Sequence, residues 1–549
     1  MKHGEPATPA GASGATRRDT LRLLLGAGAA VGIGASVGPL LGPAAARAAA
    51  FDYTDPATFD EFHRTFQRRE DRVGQSTDLN EWLGALAWGQ SYIQVGMMRM
   101  YDATRDVRHL HELVDHIDNV LATRDSVRGV KDYRGLSLPA WRSGYPYTMG
   151  AVDLADASGR PILQVRSART PIERMLRLKP TEVEPYIDVT VSAGATADRF
   201  KLTVTHRNFD VTEDFDNLSM DPASPDYVLT RVHAAWPTSN SITVKDLRES
   251  PGAGAAPVHG AFPMRSLPAV FGVHTGQIVH PIAWFARTVL ESQALRQDRV
   301  LRAKAENYVD AAEAALAVHD EEWRENDRGE GWYVFAKGNP SGFDGAEQPA
   351  NQFLAPGRAM LHLAAVTGKS SHADRVAKLA RTFRNQLTVD PEQAYTWHYW
   401  PTWGRVFNGW TKADDVSEFR LSQSSARQIE DISHAHLSVD FAVQAFRDRV
   451  GFTGRDMRRL ANTFTRKLRA FEPNGDPTVW FNVDGSFRTG VLSDELVAAG
   501  WMPIATWDEE VFTHCEAMYD SSGLTPDYPF LSGFMLMGVA NLVWFARRG

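Results

Sequence analysis

The 549-residue chain has a single cysteine, Cys515. One thiol forms no internal disulfide, so the fold must rest on its core and its hydrogen bonds. No block of like charges is long enough to act as an interaction tail. The net charge of -8 and an isoelectric point near 6.1 lack the basic field of a nucleic-acid binder. Also missing are a phosphate-binding glycine loop followed by Lys-Ser or Lys-Thr and a strand-linked dinucleotide fingerprint. The apolar stretch from Phe530 to Phe545 contains Gly538 and Asn541, so it fits a packed terminal helix better than a membrane span. What is present is core material: 43% hydrophobic residues and 10% aromatics are ample for a large interior.

The start of the chain has the layout of a targeting segment. Thr16-Arg17-Arg18-Asp19-Thr20-Leu21 places paired arginines ahead of an apolar run from Leu23 to Leu41, and Ala46-Arg47-Ala48 supplies small residues at a cleavage site. This order resembles a twin-arginine signal peptide over residues 1–48. The resemblance implies export to the periplasm or the extracellular space, with no stable membrane anchor once the signal is removed.

Periodicity then divides the remainder. Residues 51–147 are helical in pattern: Leu110, Leu113, Ile117 and Leu121 recur in steps of three and four within a helix expected from Val107 to Ala122. Residues 148–250 change period. Short β-branched runs at Ile162–Val165, Tyr186–Val191 and Lys201–Val204, separated by Gly, Asp and Pro, predict strands in an inserted β-rich module. The segment Glu213–Pro222 is similar to part of the small β domain of phage tail-sheath proteins, which implies a reused β module and says little about chemistry. Residues 274–549 return to helices in pairs, with a helix expected from Ile429 to Val450. Such hairpins predict a mainly α fold, an α/α toroid carrying the β-rich insert.

Candidate chemistry concentrates between Tyr395 and His436. Trp397, His398, Tyr399, Trp400 and Trp403 lie within a few residues of one another. Indole and phenol faces pack on sugar C–H faces while their N–H and O–H groups bond hydroxyls, so this segment suits a glycan groove; the alternative is an apolar plug between helices. In an extended chain Thr396, His398 and Trp400 share one side. On the helix expected to follow, Glu430 and His434 lie four residues apart and Asp431 three from His434, an arrangement in which a carboxylate orients a basic imidazole. His436 falls on the apolar side of that helix. Asn351 and Gln352 open another helix, where Asn commonly caps, and in a cleft their amides bind a carboxylate. Arg427, Tyr333 and His274 complete the candidates.

The order of His274-Thr275-Gly276, Asn351, Trp397-His398-Tyr399-Trp400 and Glu430-Asp431-Ile432-Ser433-His434 resembles α/α-toroid polysaccharide lyases of the alginate-lyase-like kind. The likeness spans the helical parts only. It implies a lyase that breaks a uronate-containing polysaccharide or oligosaccharide by β-elimination, without a cofactor. It assigns an Asn, a His and a Tyr, with an Arg or Glu beside them. The catalytic set is then Asn351, His398 or His434, Tyr399 or Tyr333, Glu430 and Arg427, with Trp397, Trp400, Trp403, His274 and Gln352 toward substrate. One rival is an inverting glycoside hydrolase on the same fold, pairing Asp344 or Glu347 with Glu430 or Asp431. The other is a non-catalytic glycan-binding protein. No metal is expected: His434 and His436, two residues apart on a helix, point in divergent directions, and no His-Glu-x-x-His pair is present.

Overall fold

A computed structural model describes residues 51–144, 146–168, 187–206, 211–234, 242–488 and 490–548. The twin-arginine segment lies outside the described residues. The expectation of a mainly α toroid is corrected. Among the described residues 47% are helical and 17% are in strands, and seven of the strands form an antiparallel sheet curled into a half-barrel.

That sheet comprises β1 (Gly150–Ala155), β2 (Pro161–Ser167), β3 (Ile187–Ala193), β4 (Arg199–His206), β5 (Val211–Ser219), β6 (Ile242–Asp246) and β7 (Gly260–Ser266), in the order β5-β4-β3-β7-β1-β2-β6. In β4 the alternation is complete: Phe200, Leu202, Val204 and His206 face inward while Arg199, Lys201, Thr203 and Thr205 stay partly exposed. The inward set joins Leu154, Leu163, Val165, Ile187, Val189 and Met264 in a core of the sheet's own. Strands β5 and β7 escape a sequence reading for a chemical reason. Val-Thr-Glu-Asp-Phe-Asp-Asn-Leu-Ser is acidic, and Gly-Ala-Phe-Pro-Met-Arg-Ser holds the residue types depleted from strands. Pro263 is nonetheless tolerated within β7, opposite Asp188 of β3 and beyond the two residues that pair with β1.

The longer helices among the described residues are α1 (Pro56–Gln67), α2 (Ser91–Thr104), α3 (Arg108–Ala122), α4 (Gly272–Glu291), α5 (Arg299–Ala317), α6 (Ala350–Thr367), α7 (Ser370–Arg384), α8 (Ile432–Arg447), α9 (Gly454–Asn462), α10 (Glu510–Ser522) and α11 (Gly533–Ala546). They enclose one large core with α4, α6 and α8 near its centre. Helix α4 meets α6 so closely that a Cβ on Gly276 would lie 2.3 Å from the Pro356 backbone nitrogen. The glycine of His-Thr-Gly is therefore required by a helix crossing. Short antiparallel ribbons, such as Trp323–Glu325 with Gly331–Tyr333, interrupt the helical pairs. Two turns of π-helix do the same, at Leu86–Gln90 and Thr463–Leu468. Among the described residues no helix is long and apolar enough to cross a membrane.

The sheet is fastened to the loops of the helical body. Arg166 of β2 donates to Glu418 at 2.7 Å, and the Thr243 hydroxyl of β6 donates to the Glu418 carbonyl. Asp344, fully buried, gathers this region by accepting from the Gly338 and Glu418 amides and the Ser417 hydroxyl.

Candidate active site

Asn351, Tyr399, Glu430, Asp431 and His434 converge, but not by the helical spacing expected. Helix α8 starts at Ile432, and Glu430 precedes it in extended backbone. The Glu430 amide donates to the Trp397 carbonyl at 3.1 Å, and the Tyr399 amide to the Gln428 carbonyl at 3.1 Å. On the other side the Val483 amide donates to the Glu430 carbonyl at 3.0 Å. These three short stretches form a ribbon whose inner side carries Tyr399 and Glu430. Asp431 is the N-cap of α8, its Oδ1 accepting from the Ser433 and His434 amides at 2.9 and 3.0 Å.

From that cap Asp431 Oδ2 reaches His434 Nδ1 at 2.5 Å. One carboxylate thus starts the helix and fixes the imidazole, and Nε2 is the ring nitrogen left for proton transfer. The Tyr399 ring stands edge-on to His434, centroids 5.2 Å apart. Pro349 occupies the cap position of α6, so the Asn351 amide is not used as a cap. Its Nδ2 donates to Glu430 Oε2 at 3.2 Å, while its Oδ1 finds no partner among the described residues. Gln352, half-buried, points Nε2 at the Tyr399 hydroxyl at 3.5 Å. Glu430 and Asn351 are fully enclosed, and His434 is buried with 5% exposure.

The two adjacent acids are poised in opposite directions. Burial lifts Glu430 to about 8, with the Asp431 charge adding to it, so this carboxyl holds its proton near neutrality. Burial acts on Asp431 as well, but His434 and Ser433 outweigh it and keep Asp431 below the ordinary aspartate range. His434 is drawn down by burial and raised more strongly by Asp431 and Glu430, so its basicity is enhanced. Burial raises Tyr399 far above the usual phenol, with Glu430 and Asp431 adding, so it remains protonated. Neighbouring titratable groups pushed apart in this way mark acid and base roles.

The other candidates lie elsewhere. His398 and Arg427 take the opposite side of the ribbon: His398 Nδ1 meets the Arg427 carbonyl at 3.0 Å, and both side chains flank Phe407. Trp397 and Trp400, 2% and 1% exposed, pack on Phe383 and Phe343 and present no free ring face. With Trp400 enclosed, Thr396, His398 and Trp400 do not form an open surface together. Trp403 is 42% exposed and rests edge-on to Trp332, the only expected platform residue that offers a face to solvent among those tryptophans. Tyr333 is buried against Trp323 and feels Arg375 rather than the cluster. His274 is enclosed by Trp88, Tyr147 and Phe271, accepts from Trp88 Nε1 at 2.9 Å, and is pulled by burial to about 3. It is a core histidine. For the hydrolase pairing, Asp344 is occupied by Ser417 and two amides, and Glu347 caps Arg405 N at 2.8 Å.

Glu430, Asp431 and His434 also lie within ligand distance of a common ion. Both Asp431 oxygens, however, are already committed to hydrogen bonds, which favours a proton relay over a cation cage. Comparison with family models and with curated proteins finds no match. What the cluster can do follows from its geometry and its protonation states.

Proposed function

We propose that the protein is an exported carbohydrate-active enzyme, a polysaccharide lyase that cleaves a uronate-containing glycan by β-elimination at the Asn351–Tyr399–Glu430–His434 cluster. The observation that carries the reading is the opposed poise of Glu430 and Asp431 around one imidazole. β-Elimination needs a base for the C5 proton, a donor for the leaving oxygen and a neutraliser for the substrate carboxylate. His434 Nε2, made basic by Asp431, takes the proton. The protonated Glu430 and the Asn351 amide donate to the carboxylate as charge moves onto it. Tyr399 gives its proton to the departing O4, the C4–O bond breaks and a C4–C5 double bond remains. Trp403 and Trp332 provide an aromatic face for a neighbouring sugar.

The test is incubation with polyuronates and glycosaminoglycans while following the ultraviolet absorbance of unsaturated product. His434→Ala should abolish the signal and His398→Ala should retain it. Cleavage without a double bond supports the hydrolase, and binding without turnover supports a glycan-binding protein. Either result removes the lyase reading.

A further inference from the structure

A second cluster lies on the first helices, where α1 and α3 face each other. His63 of α1 and Glu112 and His116 of α3 bring their donor atoms within 4.8 Å of one another. Glu112 and His116 are one helical turn apart on α3, so they project from one face. His63 Nδ1 is 3.5 Å from Glu112 Oε1, and the two imidazole centroids are 5.6 Å apart. Tetrahedral ligands with bonds of about 2.0–2.1 Å stand about 3.3 Å from each other. The first pair is already at that separation. His109, a turn earlier on α3, is not part of the group.

The ring nitrogens that point away from the cluster also have partners. Gln67 Nε2 lies 3.2 Å from His63 Nε2, and Gln90 Nε2 lies 2.6 Å from His116 Nδ1. An amide's two ends exchange by a half-turn. With Oε1 toward the ring, each glutamine accepts the outer N–H and leaves the inner nitrogen with its lone pair, the outer-shell arrangement of metal-bound histidines. Gln90 Oε1 has no other partner among the described residues. Gln90 closes the π-helical turn Leu86–Gln90, and such turns commonly accompany functional sites.

The surroundings are acidic. Asp60 and Asp115 act on Glu112 through their negative charge, against Arg108. Arg108 is paired with Asp60 at 2.8 Å. His63 and His116 are buried, 5% and 7% exposed, and supply imidazole ligands from two facing helices.

We infer that His63, Glu112 and His116 form a binding site for a divalent first-row transition ion. Zinc is the natural fit to two imidazoles and one carboxylate, its fourth position open to solvent beside the 43% exposed Glu112 side chain. The ion ties α1 to α3. The site stands apart from the proposed lyase centre and does not depend on that reading.

The experiment is titration of the full-length protein with zinc ion against a chromophoric chelator, paired with the visible spectrum of the cobalt(II) form. One equivalent should bind, and the melting temperature should rise with added zinc. Glu112→Gln and His116→Ala should lose stoichiometric binding with an unchanged far-ultraviolet spectrum, and Gln90→Ala should bind about 10–100-fold more weakly. His434→Ala should bind as the parent does. No saturable equivalent in the folded parent overturns the site. So does binding unchanged in Glu112→Gln, a near-isosteric change at a half-buried position, or binding lost only in His434→Ala.

Discussion

In the proposed mechanism Glu430 would serve chemistry at the expense of stability. Its folded-state value of about 8 lies above the 4.5 of a free glutamate. The folded protein therefore binds the extra proton between these values, and Glu430 costs stability progressively as pH rises through that window. Glu430→Gln keeps the shape and a donor while removing the charge. Its melting temperature should exceed that of the parent above pH 8 and match it near pH 4. In activity, the parent should give a bell-shaped kcat/KM profile. Its rising limb follows deprotonation of His434, above the range of free histidine, and its falling limb follows loss of the Glu430 proton near 8. Glu430→Gln should lose the falling limb. If that limb persists unchanged, Glu430 is not the acid group.

Asp431 joins two duties at the scale of an element, and two substitutions separate them. Asp431→Ala removes the α8 cap and should cost about 1 kcal/mol or more of stability, read by denaturant titration. Asp431→Asn keeps a capping oxygen and should unfold close to the parent. Yet it withdraws the charge from His434, so the rising limb should move to lower pH and turnover should fall. The α4–α6 crossing supplies a separate test. Gly276→Ala forces a methyl against the Pro356 backbone, and overpacking of this kind costs about 1–3 kcal/mol, measurable as a lowered midpoint.

For the whole molecule, buried histidines set the acid limit. His274, His362 and His436 are each pulled by burial to about 3, from an ordinary 6.5. A depressed histidine means the unfolded chain binds more protons between those values. Stability is then full above about pH 6.5 and falls as pH drops toward 3, each ring contributing up to about 1.4 kcal/mol per pH unit. Equilibrium unfolding from pH 7 to 4 should show a steepening loss, and His436→Gln should flatten it. An unfolding midpoint independent of pH across this range excludes the effect.

Helix α3 could be read directly, because Leu110, Leu113, Ile117 and Leu121 repeat at the helical period and all are buried. The alternating runs in β3 and β4 were equally plain, since one face of each packs inward. Beyond these local patterns the sequence nominated residue types: Asn351 at one helix start, and a tyrosine and a carboxylate–histidine group within the aromatic-rich region from Tyr395 to His436. It misplaced Glu430 on a helix, because hydrogen bonds to residues 397 and 483 come from distant chain segments and leave no local period. The same distance hid the partnership of His63 with Glu112 and His116. It also concealed the closure of seven strands into a half-barrel, where acidic β5 and proline-bearing β7 are held by neighbours rather than by their own propensity. Composition and short-range spacing determine the elements with a plain period, such as α3, β3 and β4, and which groups have useful chemistry. Tertiary packing alone decides which groups meet and which proton each retains, because burial and charge proximity are properties of the folded interior.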